Sequence, residues 1–295
     1  MQTPITPYKL IKRVKDDRLE EENLHQYELV IQTGPKDFQL GVVDSADQRL
    51  LLLEDYAMTN VQSHAELLAA LKELFDSHAL LKAGFWKEVK IGIKNNKICQ
   101  VPAVFFDEQK SLDYLKLNAT VDELKERVAF CQNPGANAVT VFAVQNDLYD
   151  WFQSIYPHAP HGFFHQSAAL IEGVLRQAKE SSQVLYLYVD RFKLHILSAT
   201  TGKLIYYNQF PIKQFSDYVK YIMLVLKGLK MDQQTSEIVL WGYIGKNSTH
   251  YVEFIKYIRH VVLGERPKHL KFNYLFDEIQ DHQFFDLYSM NLLKS

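Results

Sequence analysis

Cysteine is nearly absent from this 295-residue chain: Cys99 and Cys131 stand alone, with no metal-ligand or redox spacing between them. A disulfide scaffold and a cysteine-built zinc site are thereby excluded, and two reduced cytoplasmic thiols are the reading. No apolar run approaches the roughly 20 residues needed to cross a bilayer. The N-terminal stretch MQTPITPYKLIKRVKDDRLEEEN lacks the apolar centre of a signal peptide. Net charge is also scarce, at −2, so nothing draws the chain generally toward nucleic acid or a membrane surface. No G-x-S-x-G, G-x-G-x-x-G or GK[ST] loop occurs. No linker rich in Gly, Pro or Ser divides the chain, so any two lobes are expected to pack together.

What is present is a full complement of core-forming residues. Hydrophobic residues make up 47% and charged ones 23%, an ordinary soluble balance, and the length favours two lobes over one. The 17 Tyr and 18 Phe suit a large mixed-sheet core and a partner surface.

The organising pattern is a repeat. Residues 184–210, VLYLYVDRFKLHILSATTGKLIYYNQF, read as three consecutive strands with a turn at Thr200-Thr201-Gly202. Residues 29–56 read the same way, with turns at Gly34-Pro35 and at 44–48. Phe38 matches Phe192 and Leu50 matches Leu204 at one common offset, and an amphipathic helical pattern follows each copy. One unit used twice is the implication.

Along the chain, residues 1–25 form an arm whose basic half (Lys9, Lys12, Arg13, Lys15) precedes an acidic one (Asp16, Asp17, Glu20, Glu21, Glu22). A solvated arm that pairs with itself or with the body is expected over an anion-binding one, because adjacent opposite charges cancel within a Debye length. A first lobe is placed at 26–180. Ser63-His64-Ala65-Glu66 has the form of a capping box, with Leu67, Leu71, Leu74 and Phe75 on one helical face. Strands are expected at 88–93 and 98–106, the second an edge or bulge because of Pro102. Thr120-Val121-Asp122-Glu123 predicts a helix to Cys131, followed by a strand at 138–144, a helix at 147–156, a loop at 158–162 and a helix from Ser167 to about Lys179. A second lobe is placed at 181–276. It has a helix striped by Phe215, Val219, Ile222, Met223, Leu226 and Leu229, a strand at 237–243, a helix at 247–263 and a strand-like stretch at 269–276. Residues 277–295 are expected to pack back on the body, with a terminal helix at 281–292.

Other constellations carry little chemistry. His158, His161 and His165 match no closed metal motif and read as surface-loop and helix-entry residues, so no metal site is assigned. His282 lies in the expected terminal helix. Asp277-Glu278 has no partner for paired-carboxylate catalysis. Gly245-Lys246-Asn247-Ser248 resembles a phosphate loop without its upstream glycine. Tyr206-Tyr207 and Lys220-Tyr221 offer rings and charge to a single strand, but at this net charge sheet packing is the better reading.

Two copies of three strands followed by helix, strand and helix resemble the lobes of the actin-like ATPase superfamily, in its pilus-assembly and cell-division branch. The chain also resembles an uncharacterised bacterial family, a domain of unknown function typical of Bacteroidetes. That likeness rests on Tyr186-Leu187-Tyr188-Val189-Asp190, Gly202-Lys203-Leu204 with Asn208-Gln209-Phe210, Leu240-Trp241-Gly242 and Asp281-His282-Gln283-Phe284-Phe285-Asp286-Leu287. The fold implied is α/β: a two-lobed, duplicated, actin-like (ribonuclease H-like) architecture, each lobe a mixed sheet flanked by helices.

The resemblance also implies ATP with magnesium between the lobes, held by two phosphate hairpins, each an acid followed by Gly and Ser/Thr. Here the first hairpin reads Gln32-Thr33-Gly34-Pro35-Lys36, with glutamine in the acid's place and a proline that removes an N–H donor. The second has Asp190 but continues Arg191-Phe192 without glycine. The adenosine position keeps Gly242 and puts Trp241 beside it. Only Gly34, Lys36, Asp190 and Gly242 remain to hold a nucleotide. The expectation is therefore a cytoplasmic, non-catalytic binding or scaffolding protein, with no cofactor, no catalytic residues, a protein partner of unknown identity and scope for self-association. The alternative is an ATP-binding switch or weak ATPase using those four residues.

Overall fold

The computed structural model describes residues 6–191 and 193–294; Phe192, the expected counterpart of Phe38, lies outside them, as do residues 1–5 of the arm. The chain begins with β1 (Tyr8–Lys15), β2 (Tyr27–Thr33), β3 (Asp37–Asp44) and β4 (Arg49–Met58). The basic half of the arm pairs with the body, as a strand antiparallel to β4. Helix α1 (His64–Ser77) starts on the expected capping box: Ser63 Oγ accepts the Glu66 N–H and Glu66 Oε2 accepts the Ser63 N–H. Its Leu67, Leu71, Leu74 and Phe75 are buried, and Phe75 meets Phe38 edge-on at 5.7 Å.

After α2 (Ala79–Lys82) come β5 (Glu88–Ile93), β6 (Ile98–Pro102), α3 (Ser111–Lys116), β7 (Glu126–Asn133), β8 (Ala138–Gln145) and α4 (Asn146–Ile155). Pro102 ends β6, and a 3-10 turn replaces the strand expected on to Phe106. The helix expected from Thr120 to Cys131 is not formed. The Asp122 carbonyl accepts the N–H groups of Lys125 and Glu126, which closes a single turn, and the chain then extends as β7. Sheet pairing along the whole of β8 outweighs the local capping signal there.

Strand β9 (His161–His165) takes up the last two residues of the stretch expected to be a loop, and it leads into α5 (Gln166–Gln177). The second copy follows as β10 (Val184–Val189), β11 (Lys193–Thr200), β12 (Lys203–Pro211), α6 (Phe215–Gly228), β13 (Glu237–Gly242), α7 (Thr249–Phe254) and β14 (His260–Leu263). The long helix expected over 247–263 is therefore a short helix and a strand. Residues 269–276 contribute only a bridge between Lys271 and Arg49. The terminal helix is a single segment, α8 (Phe285–Ser289), continued by a 3-10 turn.

The duplication lies in the sheet orders. The first sheet runs β1-β4-β3-β2-β5-β9 and the second β12-β11-β10-β13-β14. With β1 set aside, both follow one plan: a three-strand antiparallel meander whose first strand pairs in parallel with the fourth, and the fourth with the fifth. Ile31 sits between Leu40 and Ile91 as Leu187 sits between Ile196 and Leu240. Leu50 and Leu204 each stand second in the third strand. The small sheet β6-β8-β7 is an insertion in the first copy. The chain is a two-lobed α/β fold in which each lobe is a mixed sheet flanked by helices.

One face of the second sheet (Tyr186, Tyr188, Trp241) packs on Leu170, Ile171 and Val174 of α5 and on Phe285. Phe284, Leu287, Tyr288, Met290 and Leu293 enter the core of the first sheet instead. The C-terminal segment is thus wedged into both lobes. Phe284 adopts φ 57°, and this reversal sends its ring one way while Phe285 stacks on Trp241 at 4.3 Å. Gly173 lets α8 come close to α5, since a Cβ there would lie 2.1 Å from Ser289 Oγ.

Candidate functional site

The turns at the carboxyl ends of β2, β5, β10 and β13 face each other where the lobes meet, the place where open α/β sheets carry ligands. Lys94 follows β5 and is 3% exposed. Its Nζ donates to Asp37 Oδ2 at 2.8 Å and Gln39 Oε1 at 3.0 Å, and it lies 3.5 Å from Asp286 Oδ2. Asp286, wholly buried, accepts Gln166 Nε2 at 2.8 Å and the Tyr188 hydroxyl at 2.5 Å. The same Gln166 amide donates to Asp190 Oδ2 at 3.0 Å. Arg191 reaches back to the first lobe, with Nη2 2.6 Å from Asp55 Oδ2, and lies over the Tyr243 ring at 4.7 Å. Gln39 donates to Asp55 and to the Tyr243 hydroxyl. A second junction forms at the Asn95 carbonyl, which accepts Lys193 Nζ at 3.2 Å and Gln209 Nε2 at 3.0 Å.

Charge compensation sets the protonation states. Burial works against the Lys94 ammonium, yet Asp37, Asp190 and Asp286 outweigh it and hold its pKa well above the ordinary lysine value. Burial likewise disfavours the Asp190 carboxylate, but Lys94 and Lys193 keep its pKa below the usual range. Asp37 goes the other way: burial, with Asp190 nearby, pushes it up to about 6 in spite of Lys94. The site thus holds its own buried cation at the centre.

Two of the four candidate residues from the sequence meet at this centre. The Gly34 N–H donates to the Asp37 carbonyl at 3.0 Å, and a Cβ on Gly34 would lie 3.0 Å from Lys94 Cβ. Asp190 lies on the opposite side, its backbone N–H bound to the Lys193 carbonyl and its side chain to the Arg191 N–H. Lys36 turns away, donating to the Val61 carbonyl at 3.3 Å. Gly242 adopts φ 100° against Val189; its N–H goes to the His282 carbonyl and that of Tyr243 to the Val189 carbonyl, both at 2.8 Å. Gln32, in the acid's place, is fully buried, with no partner for either amide atom among the described residues. Sequence reasoning missed Lys94, Asp37, Gln39, Asp55, Gln166 and Asp286. A lysine closing the apolar strand Glu88–Ile93 was the available signal for the first.

The remaining constellations are dispersed. His161 and His165 pair with Val89 and Ile93 along β9, about 13 Å apart at strand rise. His165 is buried, caps α5 through the Ser167 N–H and is held well below the ordinary histidine pKa by burial. Asp277 faces Arg266 and Glu278 faces Lys12. Ser248 caps α7, and His282 is 3% exposed. Among the described residues no group of three His, Cys, Asp or Glu is placed to share a metal ion.

Residues 16–261 match the profile of the family described as "Protein of unknown function (DUF3822)". The chain belongs to the DUF3822 family. No curated protein is similar to this DUF3822 chain. Among solved structures it is similar to a Bacteroides thetaiotaomicron protein with actin-like ATPase fold and unknown function, at 21% identity and a TM-score of 0.78, covering 94% of this chain and 99% of that one. It is also similar to a chain of the PilM–PilN type IV pilus biogenesis complex, at 11% identity and a TM-score of 0.66, covering 90% and 97%. The DUF3822 chain has the actin-like ATPase fold. No helix among its described residues is long and apolar enough to cross a membrane.

Proposed function

We propose that the protein is a non-catalytic binding or scaffolding module of the cytoplasm, its lobes held together by the charges that surround their junction. The carrying observation is Lys94, whose buried ammonium stands among Asp37, Asp190 and Asp286. A magnesium nucleotide brings its own cation and needs free N–H donors. The N–H groups of Gly34, Asp190, Gly242 and Tyr243 are bound to the protein's own carbonyls. The residues present do not fit the nucleotide that the fold family implies. A protein partner agrees with the structural likeness to a chain of the PilM–PilN complex.

The rival reading, an ATP switch through Gly34, Lys36, Asp190 and Gly242, is separated by melting the full chain with millimolar magnesium ATP. The expected result is an unchanged Tm. A rise of several degrees that Asp190→Ala removes would establish the rival.

A further inference from the structure

Beside the charged network lies a cavity of about 360 Å³, bounded by the β2–β3 turn, the β5–β6 loop, the first turns of α1 and α4, and Lys193 of β11. Pro35, Leu67, Ile93, Ala143 and Leu148 give it apolar walls. Most charges that face it are satisfied. Lys97 is bound by Glu126 at 2.6 Å, and Glu126 also accepts the Gln145 amide and the Asp122 N–H. His64 meets Asp147 at 2.6 Å, and Lys94 belongs to the network described above.

Lys193 is different. Its half-buried ammonium donates to a neutral carbonyl, that of Asn95, and the carboxylate nearest in charge, Asp190, is shared with Lys94 and bound to Gln166. A half-buried ammonium with no ion pair of its own, whose nearest carboxylate is shared with Lys94, leaves free energy for a ligand to recover. An ammonium that only shares a carboxylate favours a ligand with a single negative charge, and the apolar walls call for a hydrocarbon body. The volume lies at the small end of the roughly 300–1,000 Å³ typical of ligand pockets.

We propose that this cavity binds a small aliphatic monocarboxylate, its charge on Lys193 and its chain along Leu67, Ile93 and Leu148. Because Lys193 comes from the second lobe and the other walls from the first, the ligand bridges the lobes. This site does not depend on the absence of nucleotide binding.

The test is calorimetric titration of the full chain with octanoate and with octan-1-ol. Octanoate is expected to saturate one site with a Kd below about 1 mM, and octanol to bind at least about tenfold more weakly for lack of the charge-assisted bond. Lys193→Met removes that advantage, and Leu148→Trp, which fills the cavity, abolishes binding while far-UV circular dichroism stays native. Absence of octanoate binding to the unaltered chain, or equal binding of octanol, overturns the proposal without reliance on any variant. Undiminished binding to a folded Leu148→Trp chain places the ligand elsewhere and also overturns it.

Discussion

Lys94 Nζ and Asp286 Oδ2 stand 3.5 Å apart where the lobes meet, one at the end of β5 and the other in the last helix. Asp286 also holds Gln166 and Tyr188, so a single carboxylate ties both sheets to α5. Its neutralisation leaves the Lys94 charge less compensated in a buried site. Asp286→Asn is expected to lower the unfolding free energy by about 3 kcal/mol, as read from urea titration. Removing both charges together, as Lys94→Met with Asp286→Leu, is expected to cost less than the sum of the single changes. Additive losses would mean that the two groups do not act on each other.

The approach of α8 to α5 predicts a reversal of the usual helix rule. Gly173→Ala in an ordinary helix interior gains up to about 1 kcal/mol. Here the added Cβ would lie 2.1 Å from Ser289 Oγ and 2.9 Å from Phe285 Cζ. A loss of about 2 kcal/mol or more is expected in its place. Restoring room with Ser289→Gly in the same chain is expected to recover part of it. A stabilised Gly173→Ala protein would show that the C-terminal segment is not clamped against α5.

The Ser63 cap gives a smaller, local effect. Its Oγ accepts the Glu66 N–H at 3.3 Å in an exposed setting. Ser63→Ala is expected to cost about 1 kcal/mol by thermal melting, and Ser63→Asp to restore most of it. A neutral Ser63→Ala would mean that water satisfies the helix end as well as the side chain does.

The parts of the fold visible in the sequence were those whose stabilising partners lie close in the chain. The two meanders and the Ser63 box have turn and cap residues within a few positions of the segments they define. β9 and β14 were missed for a physical reason: they are parallel edge strands of five and four residues, fixed by β5 and β13 and not by their own pattern. The Thr120–Glu123 pattern misled because the turn that forms is closed by the Asp122 carbonyl instead, and the chain is then held by pairing with β8. The candidate site was legible at Gly34 and Asp190, which sit in hairpins. Asp286 was not, since its partners Lys94, Gln166 and Tyr188 come from three distant elements. A terminal helix over 281–292 is expected from the sequence, but the φ of 57° at Phe284 that splits its ring from that of Phe285 between lobes has no sequence signal in a non-glycine residue.

Buried histidines give the protein an acid-sensitive stability. His195 is fully buried, bound through Nδ1 to the Tyr207 hydroxyl at 3.0 Å, and Nε2 has no partner among the described residues. Burial first, and Lys193 second, lower its pKa from 6.5 to about 3. His165 is shifted the same way. The unfolded chain therefore binds protons that the folded chain refuses. The stability each histidine contributes is fully present above about pH 6.5 and is lost as pH falls from there toward the folded value. Asp37 acts with the opposite sign, since its pKa rises from 3.8 to about 6, and its contribution is lost as pH rises through that window. It cancels part of the histidine slope, to which His269 and His282, also lowered by burial, add. His195→Gln is expected to reduce the dependence of unfolding free energy on pH by about 1.4 kcal/mol per pH unit between pH 4 and 6. Above pH 7 the two profiles run parallel. Urea titrations at unit pH intervals measure both limbs, and equal slopes for the two proteins on the acid side would show that His195 is not buried in its neutral form.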